Sequence, residues 1–216
     1  LLDLTTPTQP KSTPVPYTTL FRSIAEKTKS NKQIADNLAK IGEVYLLTPD
    51  LIKAQVNFKR AIEIYTTIND ENGIIGNLIN LGASYQKQGN ITKAIEIFKV
   101  GLEKARISGA ERSESILLGN IGSSNRVLKK YKESLEYLFK ALAIKLRLKN
   151  YASAAHSCND LSETYIEMNQ LYKAKEFALK AIQYSKGLNI HKERFAYYLL
   201  SKIEYESGNY KSSHNN

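Results

Sequence analysis

The chain has 216 residues, 42% of them hydrophobic, 24% charged and five of them proline, with a formal net charge of +10. That length can bury a real core, as one large domain or as a stacked array, while the absence of any run of about 18 apolar residues excludes a helical membrane span in this sequence. The single Cys158 excludes an intramolecular disulfide and a multi-cysteine metal site, agrees with a reducing, cytoplasmic compartment, and stands with an N-terminus that shows no secretory signal.

Taken in chain order, residues 16–23, PYTTLFRS, differ from the residues after them: two adjacent threonines, no acidic residue and no helical spacing of apolar side chains. Written back into codons, these eight residues read as the end of a common sequencing-library adapter. An ordinary polar tail is the alternative. Repeat register separates the two, because IAEKTKSNKQIADNLAKIG, beginning at Ile24, aligns with IYTTINDENGIIGNLINLG forty residues on. Residues 1–23 are therefore expected to be a non-native, disordered tail, with Ile24–Lys29 ending the second helix of an interrupted repeat.

From there the chain repeats. IGEVY at 41, LGASY at 81, IGSSN at 121 and LSETY at 161 lie forty residues apart. Around them run further columns: Leu38, Leu78, Leu118 and Cys158; Gly42, Gly82, Gly122 and Ser162; Ala54, Ala94, Ser134 and Ala174; Phe58, Phe98, Leu138 and Ala178. Leu78, Leu81, Gly82 and Tyr85 fall at i, i+3, i+4 and i+7, and Ala94, Phe98 and Gly101 at i, i+4 and i+7, so each repeat holds two amphipathic helices. Short turns, TPD, QGN, KKY and NQL, join them. Glycine inside a helix costs about 1 kcal/mol against alanine, so the glycine column predicts a close helix contact. Gly73 and Gly76 are expected in a loop and at a helix start. Four full repeats are expected near 35–74, 75–114, 115–154 and 155–193. YYLLSKIEYESGNY, with its Gly208-Asn209-Tyr210 turn, opens a fifth, and without a polar capping helix the chain reads as an interior fragment.

The Leu-x-x-[Leu/Ile]-Gly-x-x-Tyr segment, the Gly89-Asn90 turn and the Ala-x-x-x-Phe-x-x-Ala segment resemble the tetratricopeptide repeat family over about residues 24–216. The forty-residue period resembles its longer variety, found in kinesin light chains and in bacterial sensor kinases and regulators. The resemblance implies an all-α, right-handed α-solenoid whose first helices line a concave groove that binds a peptide or a partner protein. It implies no catalysis and no cofactor. The second repeat matches best; the third lacks the tyrosine and the turn glycine, and the fourth carries Ser162 and Ala178.

Chemistry elsewhere in the chain is thin. His156, His191 and His214 match no local ligand spacing and read as scattered surface residues, Cys158 sits in the leucine column, and no glycine-rich phosphate loop occurs. The basic excess belongs to the periodic body, since residues 1–23 contribute only Asp3, Lys11 and Arg22. Its lysines alternate with glutamates along helices rather than gathering with aromatics, which disfavours nucleic acid as the partner.

The groove remains. Opposite the leucine and tyrosine columns lie Lys40, Asn80, Asn120 and Asp160, one per repeat. Glu43, Ala83, Ser123 and Glu163 follow a turn later, then Leu47, Lys87, Val127 and Glu167. The expected peptide-binding residues are Lys40, Asn80, Lys87, Asn120, Ser123, Asp160, Glu163 and Glu167. Stacked Asn80 and Asn120 could hold an extended peptide backbone; solvated or inter-repeat asparagines are the equal alternative. Asp160, Glu163 and Glu167 would favour a basic ligand residue. The carboxylate clamp of some family members is disfavoured, because Ile116 and Asn120 stand where it needs lysine and arginine. The leading expectation is a non-catalytic interaction module, and the alternative is the sensory portion of a bacterial sensor kinase or transcription regulator.

Overall fold

In a computed structural model, the structure describes residues 17–48, 50–187 and 190–208, with the side chains of 17–26, 190 and 192 left aside. The described residues form nine helices: α1 (Tyr17–Leu46), α2 (Leu51–Thr67), α3 (Glu71–Lys87), α4 (Ile91–Ile107), α5 (Glu111–Val127), α6 (Tyr131–Arg147), α7 (Tyr151–Glu167), α8 (Leu171–Ser185) and α9 (Ile190–Glu206). None is long and apolar enough to cross a membrane.

Each turn has the same construction. A helix ends on a residue in the left-handed region, Asn69, Gly89, Gly109, Lys129, Lys149 or Asn169, and the next residue caps the following helix. Where that cap is Asp70, Asn90 or Asn150, its side chain accepts from the backbone N–H three residues on, which is worth about 1 kcal/mol per cap. Lys129 and Lys149 take the left-handed conformation without glycine's freedom.

Consecutive helices pack on one another all along the chain, and each first helix also touches the next first helix: α1 to α3, α3 to α5, α5 to α7, α7 to α9. No second helix, α2, α4, α6 or α8, touches another second helix among the described residues. The row of first helices is therefore the tighter one, and it forms the inner, concave side of a curved array.

The glycine column is the contact that sets the spacing within each hairpin. A Cβ on Gly42 would stand 2.5 Å from Phe58 Cε1, one on Gly82 would overlap the Phe98 ring, and one on Gly122 would stand 2.7 Å from Leu138 Cγ. In α7 and α8 both partners change: Ser162 replaces the glycine, its hydroxyl donates to the Ala174 carbonyl at 2.8 Å, and Ala178 replaces the ring. Aromatic bulk moves one residue back, to Phe177, which stacks on Tyr165 at 5.6 Å between ring centroids. Phe58, Phe98, Leu138 and Ala178 are all fully buried.

Three sequence expectations need correction. Gly73 lies in the first turn of α3, not in a loop, and the Tyr65 ring occupies the place its Cβ would take. Residues 1–16 and Asn209-Tyr210 lie outside the described residues, but Tyr17–Ser23 are helical, so the disordered tail does not extend over them. The helix end expected at Lys29 is also absent, because α1 runs unbroken from Tyr17 to Leu46. The later turns fold a second helix back along a first helix and bury apolar surface there. Residues 17–29 have no preceding helix among the described residues to return along, so unbroken backbone hydrogen bonding prevails.

Candidate functional site

The expected groove residues fall on the inner row, on α1, α3, α5 and α7, and they divide by what already holds them. On the α1–α3 seam the Asn80 Nδ2 donates to Glu43 Oε1 at 3.2 Å. Lys87 Nζ donates to the Leu46 carbonyl at 2.8 Å, satisfying the open C-terminal end of α1. Lys40 is exposed. Asn80 and Lys87 thus stitch consecutive repeats, the inter-repeat alternative for Asn80.

On the α5–α7 seam the stitching is ionic. Arg126 lies 3.0 Å from Glu163 Oε2 and 2.6 Å from Glu167 Oε1. Burial works against the Arg126 charge, yet Glu163 and Glu167 raise its pKa on balance. Burial also pushes the Glu163 carboxyl above its ordinary range; Arg126 opposes that rise, while Asp160 and Glu167 add to it. Glu163 and Glu167 are therefore not an open acidic end, since one arginine from the previous repeat already holds both.

The α3–α5 seam lies between these two. Here Ala83 and Val127 fill the places that carry polar stitches on either side. Asn120 and Ser123 are half-buried, and their side chains make no hydrogen bond among the described residues. Asn120, rather than Asn80, is the asparagine whose whole amide faces the groove unengaged.

Past α7 the groove deepens into a cleft of about 370 Å³ between α7 and α9, lined by His156, Asn159, Asp160, Glu163, His191 and Phe195. Asp160 is only 7% exposed. His156 Nδ1 lies 3.8 Å from Asp160 Oδ2. The two histidines taken as scattered in the sequence thus share one wall-to-wall space, although no group of three His, Cys, Asp or Glu side chains converges to hold a metal among the described residues. Cys158 is fully buried in the core, and burial pushes its thiol up to about 12, which leaves it unreactive.

Arg126, His156, His191 and Phe195 were not among the expected site residues. Arg126 shares its column with Leu46, Gln86 and Ile166, so no residue type marks the position. The signal that could have found it is its distance to Glu163 and Glu167, 37 and 41 residues, about one repeat on.

A cleft of about 390 Å³ also opens on the other side, between α4 and α6, with Lys99 and Lys130 beside Glu96 and Glu133. Outer lysines pair along their own helices, as Lys93 with Glu96, Lys140 with Glu136 and Lys180 with Glu176. Such exposed pairs add little stability, but they leave no basic strip.

Residues 155–187, spanning most of α7 and all of α8, match the tetratricopeptide repeat family model. No curated protein matches the chain significantly. Among solved structures the chain is similar to BtubC (BKLC) from P. vanneervenii, with a TM-score of 0.74 and 15% identity over 92% of this chain and 87% of that one. It is similar to a putative kinesin light chain with TPR-like repeats from Podosopora anserina, with a TM-score of 0.68 and 14% identity over 85% and 90%. A Rap protein complexed with Competence and Sporulation Factor gives a TM-score of 0.67 and 17% identity over 84% of this chain and 61% of that one. At such identities the likeness is one of fold. The described array is an all-α, tetratricopeptide-like solenoid, and its α7–α8 hairpin matches the tetratricopeptide repeat itself.

Proposed function

We propose that the chain is a non-catalytic interaction module that holds a peptide or an extended segment of a partner protein against its row of first helices. The observation that carries this reading is the α3–α5 seam. Its neighbours on both sides close their polar groups on each other, whereas Asn120 and Ser123 stay half-buried and unengaged in the middle of the groove. An amide that both donates and accepts can pair with an extended backbone without reading its sequence. The Rap structure, with its bound factor, is a relative in fold that holds such a ligand.

A second reading makes the chain the sensory portion of a larger bacterial signalling protein, a sensor kinase or transcription regulator. It draws support from the Rap likeness, in which this chain spans 61% of the other. Both readings use the same groove. A longer reading frame with kinase motifs or a helix-turn-helix would favour the second.

The test is capture of partners from a lysate of the source organism, followed by titration of the partner recovered. Asn120→Ala should weaken binding by about two- to tenfold, the worth of one net hydrogen bond, and Asn80→Ala by less, because its donor is already engaged to Glu43. Binding that ignores Asn120 but collapses when Lys99 and Lys140 on the outer helices are neutralised would move the site to the convex face and revive a polyanion partner.

A further inference from the structure

The α7–α9 cleft has a charge balance unlike the rest of the groove. From α7 it receives Asp160 and Glu163, from α9 His191 and Phe195, and the nearest strong cation, Arg126 of α5, is engaged with Glu163 and Glu167. Lys202 of α9 lies 3.9 Å from Glu206. Asp160 is left over. Its side chain is nine-tenths buried, it lines the cleft, and its carboxylate accepts no hydrogen bond among the described residues, with only the His156 ring at 3.8 Å. A carboxylate that has lost most of its water and gained no hydrogen bond in return is costly to keep, and a cation arriving from outside would compensate it.

The apolar side of the cleft matters as much. Phe195 is 39% exposed and stands on the wall opposite α7. Lysine and arginine combine a long apolar stem with a charged head, and an aromatic face attracts that head as well. The volume suits a side chain rather than a bare ion, and the described residues offer no metal ligand set.

We propose that this cleft is a subsite for one cationic side chain of the bound peptide, a lysine or arginine whose head sits beside Asp160 and Glu163 and whose stem lies on Phe195. Glu167, held by Arg126, takes no part. The inference rests on the reading of the groove as a peptide site, and it adds which residue of the peptide the distal end selects.

The test is a magnetic-resonance titration of the isotope-labelled full chain with two short peptides, acetyl-Ala-Arg-Ala-amide and its citrulline counterpart, which keeps the shape and removes the charge. The arginine peptide should shift amides of α7 and α9 around the cleft in a saturable way and bind at least about tenfold more tightly than the citrulline peptide, the usual gain from a hydrogen-bonded charge. Asp160→Asn should abolish that preference. Phe195→Ala, at an exposed position, should weaken both peptides while leaving the helicity intact. Equal binding of the two peptides, a preference that survives Asp160→Asn, or shifts confined to α2, α4 and α6 would overturn the subsite. Failure here together with a captured partner that still depends on Asn120 would leave the groove reading standing. Arginine preference at the cleft with no groove-dependent partner would do the reverse.

Discussion

The second hairpin, α3–α4, and the fourth, α7–α8, share one register and reverse most of the choices made within it. Gly82 against Phe98 becomes Ser162 against Ala178, Asn80 becomes Asp160, Ala83 becomes Glu163 and Lys87 becomes Glu167. The backbone follows the same course in both, with helices beginning at Glu71 and Tyr151 and at Ile91 and Leu171. Inside the hairpin the changes are reciprocal: a larger residue on the first helix is matched by a smaller one on the second. On the groove they are not reciprocal, and they alter what the surface can hold. The comparison separates the residues that define the repeat from those that give each repeat its own ligand chemistry.

The largest effect should come from breaking the packing pair in the second hairpin alone. Gly82→Leu drives a branched side chain into the Phe98 ring and should destabilise by about 3 kcal/mol in denaturant melts, at the upper end for overpacking. Importing the fourth hairpin's pair, Gly82→Ser with Phe98→Ala, should cost clearly less than the sum of the two single changes. Strict additivity would mean that the two positions are not coupled. Gly73→Ala, facing the Tyr65 ring, belongs with Gly82 and not with the loop glycines.

Next is the ionic seam of α7. Arg126→Met leaves Glu163 and Glu167 beside Asp160 without their cation and should destabilise by about 1 to 2 kcal/mol at pH 7, less than for a fully buried pair because water reaches Glu167. The pH dependence has a defined sign. Glu163 has a folded-state pKa raised above its unfolded value, so its contribution to stability is present below the unfolded pKa and lost as pH rises through the folded one. Without Arg126 that rise is larger, so the deficit of Arg126→Met against the wild type should shrink as pH falls from 7 towards 4.5. A deficit independent of pH would show that Arg126 acts through packing and not through charge.

The smallest effect is expected at the N-terminus. No described residue before Ala35 joins a hydrophobic cluster. Deleting residues 1–23, which we place outside the repeat array, should shift the melting temperature by only a degree or two, even though Tyr17–Ser23 are helical. A large loss of stability would bring that segment into the folded unit.

These contrasts also mark how far the sequence could be read. Helix pairs, turn positions and the inward-facing columns were legible, because a fixed interval superposes residues of like size: Phe58, Phe98 and Leu138 announce a core position wherever the eye begins. The pairing between columns was in view as well, since Ser162 and Ala178 depart together, but columns read singly hide it. The unbroken α1 was not legible, because the residues at 28–30, Thr-Lys-Ser, differ little from those that do turn at 148–150, Leu-Lys-Asn. What decides there is whether a preceding helix offers a surface. The groove was legible as a set of positions and not as a site. Asn80 and Asn120 look equivalent until Glu43 is seen to hold one of them, and Glu163 and Glu167 look open until Arg126 reaches across from α5. His156 and His191 meet only because α7 and α9 lie side by side.

Hydrogen–deuterium exchange on the chain with and without its captured partner tests the central claim most directly, because it reports which row of helices the ligand covers without any mutation. The account predicts slowed exchange in the first helices, strongest in α5 and along α7 and α9 around Asp160, with α4 and α6 unchanged. Protection confined to α4, α6 and α8, with the first helices exchanging as in the free protein, would contradict it.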